Sequence, residues 1–187
     1  GGLGAAGHRG ATRHGGGATD GLWSLDLTTG RTQHVAHQTH DDAAWRLTDD
    51  RVSVLAAAPG DGLWVGTRQG LDRIDPARGA VGRWLASRGD PAGLGSGFVT
   101  ALHTDAKGRL WVGTFGGGLA VLDPPHQPGA ALRRVTAAQG LPDDNINTLV
   151  EDARGRLWSS TDSGLALIDP ETLRVRGYST NSYVDVI

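Results

Sequence analysis

The chain has 187 residues, 38% hydrophobic and 20% charged, enough for a globular domain with a real core. A formal net charge of −2 without a basic run gives no electrostatic footing to a nucleic-acid surface. The lack of cysteine removes disulfides, thiolate metal sites and cysteine nucleophiles together. No apolar run reaches the roughly 18–20 residues of a membrane span, so no direct membrane contact is expected. The chain starts on Gly1 and carries no methionine, which reads as an internal piece of a longer protein.

Residues 1–20 hold eight glycines in the first seventeen positions and are expected to be irregular. A faint echo links Gly10–Gly17 to Gly113–Gly118, as a decayed strand of an earlier repeat would. Residues 21–50 begin with Gly21-Leu22-Trp23-Ser24-Leu25-Asp26, a short alternating run closed by aspartate and a turn. Its counterparts are Gly70–Asp75, Leu119–Asp123 and Gly164–Asp169. Aspartate bonding its own backbone onward, often with proline next, is a hairpin signal. A further strand follows each turn, at Arg31–Ala36, Ala80–Leu85, Ala131–Thr136 and Leu173–Tyr178.

Three complete units come next, at 51–97, 98–144 and 145–187, the last cut short at its end. Each opens on a strand beginning at Val52, Val99 or Ile146, five residues past a loop leucine at 47, 94 or 141. A tight turn then leads into Leu-Trp-Val-Gly-Thr at Leu63–Thr67 and Leu110–Thr114, and Leu-Trp-Ser-Ser-Thr at Leu157–Thr161. The offset between successive copies is 47 residues. Six columns in phase at one period identify a repeat architecture.

Four short strands per unit of about 40–50 residues predict an all-β fold of propeller blades. Physical chemistry agrees. In Leu110–Thr114, Leu110 and Val112 point one way while Trp111 and Gly113 point the other, so both faces have something to bury. The bare glycine beside the tryptophan leaves room for a neighbouring sheet. Counted along the chain, with residues 21–50 as the second half of a blade, these units make an incomplete ring of about three and a half blades.

Val99-Thr100-Ala101-Leu102, the turn Asp105-Ala106-Lys107-Gly108, Leu110–Thr114 and Gly118-Leu119-Ala120-Val121-Leu122-Asp123 together resemble the two-component regulator propeller repeat. Gly140–Ile146 is similar to the usual junction between such repeats. The resemblance runs from about Gly21 to Tyr178, with departures at Ala58 for the turn aspartate and Ser159-Ser160 for Val-Gly. It implies a periplasmic, non-catalytic sensor region of a bacterial membrane-anchored signalling protein, a histidine kinase or a diguanylate cyclase. The partners it implies are a small ligand (an oligosaccharide among the candidates), the remaining blades of the same propeller and a second copy of the parent. Rival readings are a propeller enzyme of the lyase or lactonase type, and a pure protein-interaction scaffold.

Few side chains stand out as sites. His34, His37 and His40 are spaced for a helix face but fall in a polar connection, so a solvated loop is expected and no metal. The glycine groups Gly93–Gly97 and Gly113–Gly118 precede no helix and cradle no phosphate. The acidic doublets Asp41-Asp42, Asp49-Asp50 and Asp143-Asp144 match no calcium loop, and capping is expected of them. No catalytic residue and no cofactor are expected. Trp45 and Trp84 lie outside the recurring columns and are the candidates for a ligand surface.

Overall fold

The computed structural model describes residues 6–9, 12–17, 19–35, 46–75, 78–87 and 89–179. Four antiparallel sheets form, each of four strands in sequence order. The first holds β1 (Ala6–Arg9), β2 (Thr12–Gly16), β3 (Leu22–Asp26) and β4 (Thr32–Val35). The second holds β5 (Val52–Ala57), β6 (Leu63–Thr67), β7 (Gly70–Asp75) and β8 (Gly79–Leu85). The third holds β9 (Val99–Thr104), β10 (Leu110–Thr114), β11 (Leu119–Leu122) and β12 (Arg133–Val135). The fourth holds β13 (Ile146–Glu151), β14 (Leu157–Thr161), β15 (Gly164–Ile168) and β16 (Val175–Ser179). A 3-10 turn at Ala137–Gln139, held by the Gln139 side chain accepting from the Thr136 N–H, interrupts the strands.

The expectation of an irregular segment over residues 1–20 is corrected by β1 and β2. The half sheet expected from residue 21 onward is therefore a full one. β2 pairs on both edges, Gly15 opposite Trp23 and Gly16 opposite Leu22 on one side, Ala6 opposite Gly15 on the other. Pairing on both sides offsets the entropy cost of glycine in a strand. The glycine is also needed, because a Cβ on Gly16 would overlap the Val52 side chain.

The local chemistry repeats from sheet to sheet. Asp26 Oδ1 accepts the N–H groups of Thr28 and Thr29, and Asp169 Oδ1 those of Glu171 and Thr172, so each aspartate builds its own turn. The recurring threonine clasps the next link. Thr67, Thr114 and Thr161 donate their hydroxyls to the carbonyls of Gly70, Gly118 and Gly164 at 3.0, 2.9 and 3.0 Å. The loop leucines Leu47, Leu94 and Leu141 are buried.

Two compact units divide these sheets. One comprises Gly1–Ala86 with Gly97–Val99 and Gln127–Ala130; its core joins Leu22, Val35, Leu47, Val52, Leu63, Val65 and Ile74. Here Gly66 faces Val99, and Ser53 Oγ donates to the Val99 carbonyl. The other comprises Ser87–Ser96, Thr100–His126 and Ala131–Ile187. Its core joins Trp111, Leu119, Val121 and Val135 of the third sheet to Ile146, Leu157, Ala166 and Ile168 of the fourth. Gly113 makes the approach possible, since a Cβ there would sit 2.5 Å from Ile146 Cγ2. No helix among the described residues is long and apolar enough to cross a membrane.

Candidate functional site

The turns Asp105–Arg109 and Asp152–Arg156 build the most developed polar geometry among the described residues. Asp105 Oδ1 accepts the backbone N–H groups of Lys107 and Arg109, both at 3.0 Å. Its Oδ2 accepts Arg109 Nε at 2.6 Å and the Trp111 indole N–H at 2.9 Å. Asp152 repeats the set with Arg154, Arg156 and Trp158, the indole N–H at 3.0 Å. Gly108 and Gly155 have φ of 78° and 71°, the left-handed conformation that lets the turn close without strain.

Electrostatics follow from this geometry. Burial pushes the Asp105 carboxyl up, but the Trp111 and Arg109 hydrogen bonds together outweigh it and hold the pKa below the ordinary value. The Trp158 hydrogen bond, with those of the Arg156 and Arg154 turn, likewise holds the Asp152 carboxyl below the ordinary value. A buried tryptophan with its N–H satisfied by a carboxylate is fixed in orientation as well as position.

Arg109 carries the arrangement across to the fourth sheet. Its Nη1 donates to the Pro170 carbonyl at 2.8 Å and pairs with Glu171 Oε1 at 3.0 Å, and Lys107 reaches the same oxygen at 2.8 Å. Between these turns lies a cavity of about 590 Å³. Six cationic side chains line it, against four carboxylates. Each carboxylate is already used by the fold: Asp105 and Glu171 by Arg109 and Lys107, Glu151 by His103 at 3.0 Å, Asp169 by its own turn. Arg154 has no ion pair among the described residues and its guanidinium is available to an anionic group entering the cavity, whereas Arg174 already lends its charge to Asp169.

Of the two tryptophans expected at a ligand surface, only Trp84 is among the described residues. Trp84 is only 5% exposed and packs its ring on Trp64 at 5.4 Å, so it is a core residue and presents no face to a ligand. Trp45 lies outside the described residues, as do His37, His40 and Asp41-Asp42. His34 stacks on Trp23 at 4.1 Å, and no group of three potential metal ligands occurs among the described residues. Asp49 accepts from Arg51 and Gln69, and Asp143 from Asn145 and Ser163. The Arg51 hydrogen bonds chiefly draw the Asp49 pKa down to about 2. Asp144 caps the Ala137 N–H. Sequence reasoning missed Asp72, fully buried in β7, where it accepts from the Thr48 N–H and hydroxyl and pairs with Arg83 at 3.3 Å. Its signal was an acidic residue in a strand position that is Ala120 and Ala166 in the later sheets.

Comparison with known proteins agrees with the repeat. The two-component regulator propeller model matches residues 93–116 and 140–163, the first two strands of the third and fourth sheets. Among solved structures, the chain is similar to the extracellular domain of BT4673 from B. thetaiotaomicron, described as a hybrid two-component system. Identity is 20%, TM-score 0.75, with 94% of this chain and 24% of that one covered. The extracellular domain of BT3049 from the same organism matches at 18% identity and TM-score 0.57, over 96% of this chain and 28% of that one. An inactive H270A virginiamycin B lyase from Staphylococcus aureus, solved with quinupristin, matches at 11% identity and TM-score 0.68, over 95% and 55%. The chain thus spans about a quarter of the length of the two extracellular domains it matches. No curated protein matches it. Over residues 93–116 and 140–163 the chain is similar to the two-component regulator propeller repeats.

Proposed function

We propose that the chain is a non-catalytic, ligand-sensing propeller segment of an extracytoplasmic sensor region, part of a bacterial membrane-anchored signal-transduction protein. The family repeat and the fold shared with extracellular domains of two-component systems support this reading. The observation that carries the ligand-binding part is the cavity beneath the Asp105 and Asp152 turns. Its carboxylates are committed to the fold, while Arg154 is not, and Arg174 adds positive charge beside Asp169. A small ligand bearing a carboxylate, such as an acidic sugar, fits that charge pattern.

Thermal unfolding in the presence of acidic and neutral oligosaccharides tests it. A ligand that binds only the folded chain raises the apparent Tm with concentration. Acidic sugars are expected to raise it, and Arg154→Ala with Arg174→Ala to abolish the rise. A rise from neutral sugars only, or one indifferent to both substitutions, contradicts the assignment of the cavity.

One observation favours a second reading, a propeller enzyme. The His103 ring nitrogen and Glu151 Oε2 stand 3.0 Å apart, and Glu151 lines the cavity, a pairing that general acid–base chemistry could use. The two readings separate on turnover: an enzyme converts its ligand and loses that activity in His103→Asn, whereas a sensor releases the ligand unchanged.

A further inference from the structure

The fourth sheet has one face packed and one open. Cross-strand register puts Trp111 beside Val121 and Gly113 beside Leu119 on the face of the third sheet that meets the fourth. The same positions of the fourth sheet are Trp158 beside Leu167 and Ser160 beside Leu165. The row extends to Val150 and Thr148 on β13 and to Arg176 and Tyr178 on β16. Leu22, Leu71 and Leu119, the counterparts of Leu165, are 2%, 0% and 0% exposed, while Leu165 is 49% exposed. Val150 and Tyr178 beside it are 58% and 39% exposed. An apolar row that is buried in its other copies is an interface surface.

Two devices that seat the incoming sheet elsewhere are altered here. The first is the glycine column. Gly16, Gly66 and Gly113 lie against Val52, Val99 and Ile146, the opening residues of the incoming strands. A Cβ on Gly66 would come 2.7 Å from Val99 Cγ1, and one on Gly113 2.5 Å from Ile146 Cγ2. The fourth sheet has Ser160 in this column, with a Cβ already in that space. The second device is a hydroxyl. Ser53, at a bulge in β5, and Thr100 in β9 donate to the carbonyls of Val99 and Ile146. At the matching bulge of β13 stands Asn147, which donates instead to Asp162 of its own sheet at 3.0 Å.

We propose that this face receives a further four-stranded sheet of the same repeat, whose first strand opens on glycine, alanine or serine where Val52, Val99 and Ile146 stand. The proposal rests on the propeller reading above and adds the partner's chemistry. Equivalence of this row to the Trp111, Val121 and Leu119 row of the third sheet, which the fourth sheet covers, argues for a sheet as occupant. The smaller opening residue follows from the Ser160 Cβ, since two side chains cannot share a space that elsewhere admits one. A second copy docking through its first sheet fits poorly. Where an incoming sheet presents Ala166, the first sheet presents Trp23, 46% exposed with His34 stacked on it.

The test appends a copy of residues 94–144 to the C terminus, which keeps the 47-residue period. It is made in two versions, unaltered and with Val99→Ala in the copy, each on the native chain and on Ser160→Gly. Readouts are Tm and hydrogen-exchange protection of the β15 and β16 amides, with light scattering on the unextended chain. The alanine-opened copy is expected to raise Tm by several degrees and to protect β15 and β16 at least tenfold. The valine-opened copy is expected to do so only on Ser160→Gly. Equal docking of both copies on the native chain, docking of neither, or a dimer of the unextended chain that protects β15 would each overturn the proposal. No ligand takes part, so failure of the sensor reading in the oligosaccharide screen would leave this result unchanged.

Discussion

The second and third sheets carry the same Leu-Trp-Val-Gly-Thr strand on differently built turns. In the third, Asp105 gathers the Arg109 guanidinium, the Trp111 indole and two backbone N–H groups. In the second, Ala58 replaces the aspartate and Gly62 the arginine, and both changes occur together. The backbone closure is kept, Ala58 N–H to the Gly62 carbonyl at 2.9 Å against 3.0 Å for Asp105 to Arg109. The buried tryptophan is held by different partners: Trp64 packs on Trp84 and under the Arg73 guanidinium at 5.6 Å. Aspartate, arginine and indole therefore form one coupled set. With the carboxylate gone, a buried arginine at position 62 would be an uncompensated charge, and an aromatic pair takes over the packing.

Exchanging the turn chemistry should give the largest effect. Asp105→Ala leaves the buried Arg109 and the Trp111 N–H short of an acceptor and should cost about 3 kcal/mol in urea unfolding. Ala58→Asp, which buries a carboxylate with no arginine at position 62, should also destabilise, by roughly 2 kcal/mol. If Ala58→Asp were neutral, the set would not be coupled. Next comes spacing between sheets. Gly113→Val forces Ile146 away and should cost on the order of 2 kcal/mol, whereas Ser160→Gly should cost only about 0.5–1 kcal/mol of backbone entropy. The smallest effect is on acidification. The folded pKa values of Asp105 and Asp152 are depressed, so their contribution is complete above the ordinary carboxylate value of about 4 and is lost as pH falls through the lowered folded values. The indole N–H resonances of Trp111 and Trp158 should shift in acid.

Much of the fold was legible because its columns recur inside one chain. The loop leucine, the strand-opening Val or Ile, the Leu-Trp pair and the closing threonine all fall at equivalent positions, and the glycine does make room for the next sheet, as Gly113 does for Ile146. β2 was not legible. Its glycines argue against a strand, His14 stands in the tryptophan column, and Gly16 precedes Gly66 by 50 residues rather than 47, so the phase is broken. Trp84 misled because failure to recur was read as exposure, when the residue is buried with its ring packed on Trp64. The cavity depends on Arg109 meeting Pro170 and Glu171, some sixty positions along the chain. No local pattern encodes that contact, because it arises only when one sheet's turn is packed against the next.

The fourth sheet closes the Trp111, Leu119 and Val121 face of the third, and its own equivalent face is open. Leu119 and Leu165 occupy the same column, one fully buried and the other half exposed, so the pair tests this most directly. Urea unfolding of Leu119→Asp and Leu165→Asp, followed by tryptophan fluorescence, should show a loss of at least about 3 kcal/mol for the first and less than about 0.5 kcal/mol for the second. Equal losses at the two positions would contradict it.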